Sequence, residues 1–463
     1  MSIRPLLETT ARHAATFIDS LDTRRIAPAA GLGELRAALV RPLLDGPMAP
    51  EQVIEELVRD AEAGILASGS GRFFGWVIGG ALPAALAADW LTAAWDQNSA
   101  SYACGPAEAV VEEVCGAWLK DLLRLPETAS FGLVTGCQLA HVTALAAARH
   151  HLLAARGFDV ERDGLSGAPA IRLLTTEQRH GSLVRAVRLL GVGDGAIEIV
   201  PHDGAGKIRP AAVRDALGQR PGRPAIVCLQ AGDINTGIFD PFADVIPLVH
   251  DAGGWVHIDG AFGLWAAASE RYRHLLAGAE LADSWATDGH KWLNVPFDCG
   301  FVFCAHPLAH AAALGIDESY LIAAEGDARD QKSWNPEWSR RGRGFAVYAA
   351  VRSLGRQGIA GIVDRCCRCA RRLVVEIGAL PGVEVLAEPV LNQGLVRFLD
   401  PAGDHDGRTE DIISRIQAAG VAWFGPTTWR GCRAMRISVV NWRTSDGDVD
   451  RTVASVRAVL DGS

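Results

Sequence analysis

The sequence predicts an α/β protein: a mostly parallel central sheet, a helical segment before it and a smaller α+β unit after it. Three observations carry this. From about residue 130, short apolar strands alternate with helical stretches, the rhythm of a parallel sheet covered by helices. Before that point the apolar residues recur at helical spacing and no strand pattern is seen. After Pro381-Gly382, strand-like and helical runs mix again at smaller scale. At 463 residues the chain exceeds one typical core, and it divides into 1–95 (helical), 96–342 (the large α/β part) and 343–463 (the small α+β part).

Taken in order, residues 6–64 read as helices with polar faces. Pro50 opens one of them, because proline suits the first helical turn. Helices follow at 84–95 and 106–123, the second also opened by a proline, Pro106. In it Val110, Val114, Trp118 and Leu122 repeat every four residues. Phe131 to Val134 forms a strand, then a glycine turn, then an Ala-rich helix to His150. Ala170 to Leu174 is a strand and 181–190 a helix. Further strands fall at 225–229, 255–258 and 300–303. A long helix spans 343–379. Strands at 383–386, 394–398 and 434–439, with helices at 408–418 and 446–460, complete the tail.

Composition excludes several function classes. The chain is 49% hydrophobic and 21% charged, as ordinary globular proteins are. Its net charge of −9 argues against a nucleic-acid surface, and the basic stretch 365–372 reads as the wet face of a helix. The apolar stretch from Trp76 to Ala88 is interrupted by Gly79, Gly80 and Pro83 and is a poor membrane span. The first residues lack an apolar signal core, so a cytoplasmic protein is expected. The 10 cysteines are expected reduced, and Cys366-Cys367-Arg368-Cys369 lacks the partners a tetrahedral metal site needs.

Two charged residues stand where apolar sequence surrounds them. Asp259 closes the run His257-Ile258-Asp259-Gly260-Ala261, and Lys291 lies within His290-Lys291-Trp292-Leu293. Buried charges are costly unless paired. Pyridoxal 5'-phosphate (PLP) pairs with both: its aldehyde forms a Schiff base with a lysine, and its ring nitrogen takes a carboxylate. Asp259 ends a strand, where ligands of such sheets bind, and the small residues Gly260 and Ala261 leave room for a flat ring. Asp259 also fits a helix cap. His180, at the mouth of a helix, fits either a cap or a ring stacked on the cofactor. The turn Thr135-Gly136-Cys137-Gln138 fits a phosphate cradle or an ordinary strand-to-helix turn.

Together with Phe73-Phe74-Gly75, Asp96-Gln97-Asn98, Ala231-Gly232-Asp233-Ile234-Asn235-Thr236-Gly237, Phe239-Asp240 and Arg436-Ile437-Ser438, these motifs give a specific resemblance. The chain resembles the group II PLP-dependent amino acid decarboxylases, from roughly residue 70 to 445. The resemblance implies fold type I of PLP enzymes, a homodimer with shared active sites, and an L-amino acid as substrate. It implies Lys291 as the Schiff base, Asp259 on the ring nitrogen, His180 on the ring face, His290 by the phosphate, and Gly136, Cys137 and Gln138 in the phosphate turn. Ala261 lies beside the ring in the same scheme. Arg340 matches an arginine near the substrate carboxylate; a salt bridge at a helix start fits it equally. Phe73, Phe74, Trp76 and Trp95 are pocket candidates that slightly favour an aromatic or apolar substrate, and each also suits the core.

One departure matters. The family carries a tyrosine on a loop before that arginine, to protonate the carbanion left by CO2. The matching stretch, 323–334, has none. Protonation at the α-carbon gives an amine; reaction with oxygen gives an aldehyde, ammonia and peroxide; protonation on the cofactor leads to transamination. His180 or a water can stand in for the missing acid. A non-catalytic scaffold is the remaining alternative.

Overall fold

The computed structural model describes residues 2–316 and 328–462. Helices α1 (Arg4–Ser20), α2 (Leu32–Leu39) and α3 (Pro50–Ala61) come first, followed by α4 (Pro83–Trp95) and α5 (Pro106–Leu122). The α/β part then runs β1 (Ser130–Val134), α6 (Cys137–Ala154), α7 (Val160–Asp163), β2 (Arg172–Thr175), α8 (Gly181–Leu189), β3 (Ile197–Ile199), α9 (Pro210–Gly218), β4 (Ala225–Gln230), α10 (Phe242–Asp251), β5 (Trp255–Asp259), β6 (Ser284–Asp288), β7 (Gly300–Cys304) and α11 (Pro307–Leu314). The last part holds α12 (Gly344–Gly378), β8 (Val383–Ala387), β9 (Gln393–Phe398), α13 (His405–Ala419), β10 (Gly425–Trp429), β11 (Cys432–Ser438) and α14 (Asp446–Asp461).

Local chemistry explains many of these boundaries. Proline sits in the first turn of α1, α3, α4, α5, α9 and α11, where its missing N–H costs nothing and its φ is already helical. Ser445 and Asp448 cap α14 reciprocally, each side chain accepting from the other's backbone N–H. The predicted helix 343–379 is two helices meeting at Gly355, whose φ of 57° a side chain would resist.

The larger sheet has the order β1-β7-β6-β5-β4-β2-β3 among the described residues. Only β7 runs against the rest, so the predicted parallel character holds with one reversal. Each strand from β1 to β7 except β3 is almost wholly buried, as a sheet covered on both faces requires. Gly300 pairs with Val134 on one side and Asp288 on the other. The carboxyl ends of β1 and β6 therefore lie flush beside the start of β7, one strand from Asp259. The smaller sheet, β10-β11-β9-β8, is antiparallel. A single large apolar cluster joins the inner face of the big sheet to α12 and to the small sheet.

Candidate active site

Residues from four strand ends meet at this edge. They line a cavity of about 540 Å³ that includes Gly136, Cys137, Gln138, His180, Asp259, Ala261, His290 and Lys291. Ligands of open α/β sheets bind at such carboxyl ends. A larger cleft, of about 1210 Å³, opens elsewhere among Lys120, Asp121, Arg124, Glu127 and Arg356. It is a groove of solvated charges with no buried nucleophile, so the chemistry lies in the smaller cavity.

The turn after β1 leads directly into α6. A Cβ on Gly136 would stand 3.1 Å from His290 Cε1, so the absent side chain is what lets the turn approach the lysine segment. Cys137 N–H donates to Asp288 Oδ1 at 2.6 Å, and Gln138 Nε2 donates to the Ser182 carbonyl at 3.1 Å. The start of α6 brings further backbone N–H groups and the positive end of a helix dipole, as an anion needs.

Lys291 Nζ lies 2.9 Å from Asp288 Oδ2. Burial alone would depress the lysine pKa, but its acidic neighbours, Asp288 first and Asp259 further off, together outweigh it and the net shift is upward. His290 Nδ1 accepts from Cys299 N–H at 3.2 Å, which leaves its proton on Nε2, 3.7 Å from Asp288 Oδ1. Its ring stacks on Phe297 with centroids 4.3 Å apart, and burial keeps it neutral.

Asp259 accepts from Ala261 N–H at 3.1 Å, so it closes its own strand as a turn residue. Burial pushes its pKa up, yet His141, His180 and Lys291 together pull it far below the usual range. His180 is the N-cap of α8, its Nδ1 accepting from Ser182 N–H at 3.2 Å. Desolvation lowers its pKa, so a neutral, flat ring borders the cavity.

The donor set fits PLP. An ionised carboxylate, a lysine and a helix start with room for an anion open onto one cavity, and the ring nitrogen, aldehyde and phosphate are their complements.

Five predicted residues lie outside this cavity, among them Trp76, which stacks on Trp423, and Trp95, which packs edge-on against Phe345. Arg340 is buried and gives its guanidinium to both oxygens of Glu112, at 2.6 and 2.8 Å. Phe73 stacks on Trp423 and Phe74 on Phe424, both deep in apolar clusters. Three residues to which the motifs assign no role stand at or near the site. Asp288 faces Lys291. His141, fully buried in α6, stands 3.4 Å from Asp259. Arg436 on β11 is buried, its Nε finds no partner among the described residues, and its charge reaches His180. The one signal for Asp288 was its place three residues before Lys291, since the strand it ends has no apolar run.

A family model, the pyridoxal-dependent decarboxylase conserved domain, matches residues 40–399. The chain is 26% identical to aromatic-L-amino-acid decarboxylase of Sus scrofa over 454 residues, covering 94% of this chain and 92% of that one. Among solved structures it resembles Oryza sativa TDC with PLP and tryptamine, with a TM-score of 0.92 at 21% identity over 99% of this chain and 98% of that one. It also resembles Rhodiola rosea 4-hydroxyphenylacetaldehyde synthase, with a TM-score of 0.88 at 21% identity over 100% and 99%. These last two likenesses bear out fold type I, and the family match bears out the resemblance read from the motifs. The chain belongs to the pyridoxal-dependent decarboxylases and is a PLP-dependent carboxy-lyase acting on an amino acid.

Proposed function

We propose that the enzyme removes the α-carboxylate of an L-amino acid with an aromatic or apolar side chain, releasing the amine and CO2. The observation that carries this is the convergence of Lys291, Asp259 and the α6 turn on one cavity; the aromatic preference is supported by the Sus scrofa relative. When bound, PLP supplies an electron sink for the pair released as the carboxylate departs. Lys291 would hold the cofactor, and Asp288 would steady the lysine's ammonium. Asp259 would keep a proton on the ring nitrogen. His180 would face the ring with a proton held at its Nε2. Gly136, Cys137 and Gln138 would receive the phosphate, with His290 and Ala261 completing the site.

Two arginines compete for the substrate carboxylate. Arg340 is already neutralised by Glu112, whereas Arg436 is buried, its charge reaches His180, and its Nε has no partner among the described residues, which favours Arg436.

The reading extends to a cytoplasmic homodimer organised as 1–95, 96–342 and 343–463. It is supported by ten unpaired cysteines and by α1, α2 and α3, which bury none of their residues within the chain. No helix among the described residues is long and apolar enough to cross a membrane.

A second reading, oxidative deamination to an aldehyde or transamination, is favoured by the tyrosine-free stretch 323–334. Its first part, 323–327, lies outside the described residues, as does Tyr320. The described part offers Arg329, which lies over the Phe131 ring, and a buried Gln331. Purified holoenzyme given each common amino acid, with CO2, amine, ammonia and peroxide followed together, separates the readings. Equal amine and CO2 are expected. Peroxide and ammonia in step with CO2 would replace the first reading with the second.

A further inference from the structure

Behind Asp259 runs a chain of hydrogen bonds that ends at His141, through side chains that do not line the cavity. Trp255 Nε1 donates to Ser284 Oγ at 2.9 Å. Ser284 Oγ lies 2.9 Å from His257 Nδ1, and His257 Nε2 lies 2.9 Å from His141 Nδ1. His141 Nε2 stands 3.4 Å from Asp259 Oδ2 and has no other partner among the described residues. Ser284, His257 and His141 are 0% exposed and Trp255 is 1% exposed.

The two ends of this chain set its direction. An indole N–H only donates, and an ionised carboxylate only accepts. Trp255 fills one lone pair of Ser284 Oγ, and with the carboxylate fixing the other end the Ser284 O–H donates to His257 Nδ1. His257 then carries its proton on Nε2 and donates to His141 Nδ1. His141 in turn carries its proton on Nε2, toward Asp259. The reverse order would leave His141 with a bare nitrogen against a carboxylate unless that ring were charged. Charging His257 is opposed by burial first and by His141 second, which push its pKa down to about 3. The other groups around Asp259 are the Ala261 N–H, Cys137 Sγ at 4.0 Å, and the charges of His180 and Lys291.

The geometry points to a positioning relay: Trp255, Ser284, His257 and His141 aim four N–H and O–H dipoles at Asp259, keep it ionised, and so hold the proton on the cofactor's ring nitrogen. Aligned hydrogen bonds in a low-dielectric interior polarise one another, which lets a distant member matter. The inference rests on the reading that Asp259 faces that nitrogen. None of the four residues touches the cofactor, so each acts through Asp259.

The test uses holoenzyme reconstituted with PLP isotopically labelled at the ring nitrogen, read by NMR, together with cofactor titration of the apoenzyme. Ser284→Ala removes one hydroxyl, three hydrogen bonds away from Asp259. It is expected to move the nitrogen resonance toward that of an unprotonated ring. His141→Leu should move it further and weaken cofactor binding by roughly ten-fold or more, the effect such supporting bonds have on metal-site ligands. His141→Gln, which keeps a donor, should restore part of both. If Asp259→Asn moves the resonance but Ser284→Ala and His141→Leu do not, the relay is overturned. If Asp259→Asn also leaves it unmoved, the placement of Asp259 fails instead. A PLP analogue with C–H in place of the ring nitrogen gives a second readout. The His141 variants should bind it as the parent does; an equal loss with both cofactors would reduce His141 to a packing role.

Discussion

Burial works against the charge on Lys291, yet its acidic neighbours, Asp288 at 2.9 Å foremost, together outweigh it. A lysine pKa raised in the fold stabilises the protein below the unfolded value of about 10.4 and loses that contribution as pH climbs through the folded value. The same pairing withholds the neutral amine that the cofactor needs. Asp288→Asn should therefore lower the pH at which apoenzyme takes up PLP, followed by the absorbance of the bound cofactor; an unmoved midpoint would mean that Asp288 does not control the lysine. For the substrate, Arg436→Lys should raise KM about ten-fold or more, from the roughly 1.5–3 kcal/mol of a charge-assisted hydrogen bond, while Arg340→Lys should leave KM near the parent value. The reverse pattern would hand the carboxylate to Arg340. Lys291 and Asp259 were legible in the sequence because each breaks an apolar run. His141 was not, since a histidine in an Ala-rich helix carries no mark of what lies across from it. Asp288 was hidden because the strand it ends went unrecognised.

That strand, β6, shows why elements differ in legibility. Only Trp285 and Thr287 of its five residues supply the aromatic or β-branched bulk by which strands are known, yet all five are buried. The edge strand β3 is too short at three residues for its Ile-Glu-Ile alternation to count, and β10 opens on Gly425-Pro426, which reads as a turn. Helices fared better because prolines mark so many of their starts. Close backbone approach is equally invisible in one dimension. A Cβ at Gly300 would stand 2.5 Å from Gly136 Cα, and neither strand can yield. Gly300→Ala should cost about 1–3 kcal/mol as an overpacked site and weaken PLP binding, seen in apoenzyme melting and cofactor titration. Gly361 in α12 is the contrast, with nothing within 4 Å of a new Cβ. Gly361→Ala should stabilise by roughly 0.5–1 kcal/mol. A loss of stability there would show that the helix face is covered in the assembled enzyme.

At the scale of the molecule, the order of sheet, helices and tail was readable from rhythm alone, but the assembly was not. Helices α1, α2 and α3 leave Leu7, Leu32, Leu39, Val53 and Leu57 exposed. A second copy is the expected cover. Leu7→Glu with Leu57→Glu should shift the mass measured by light scattering from dimer to monomer and reduce activity with it; an unchanged dimer would place the interface elsewhere. The antiparallel strand β7 has a different consequence. It joins β1 to the rest of the sheet, so Ser130 meets Cys304 across 174 residues. The turn that follows β1 and the loop that precedes β7 are thus brought together only by the most distant pairing in the sheet, where loop-closure entropy is greatest. A ribosome-bound chain that has not yet emerged past Cys304 has no cofactor pocket, however much of its sheet has formed. Once PLP joins the two loops, its binding energy opposes the opening of that same seam. Cofactor loss and sheet opening at β1 should then be one event, observed as coincident release of PLP and onset of amide exchange in Ser130–Val134.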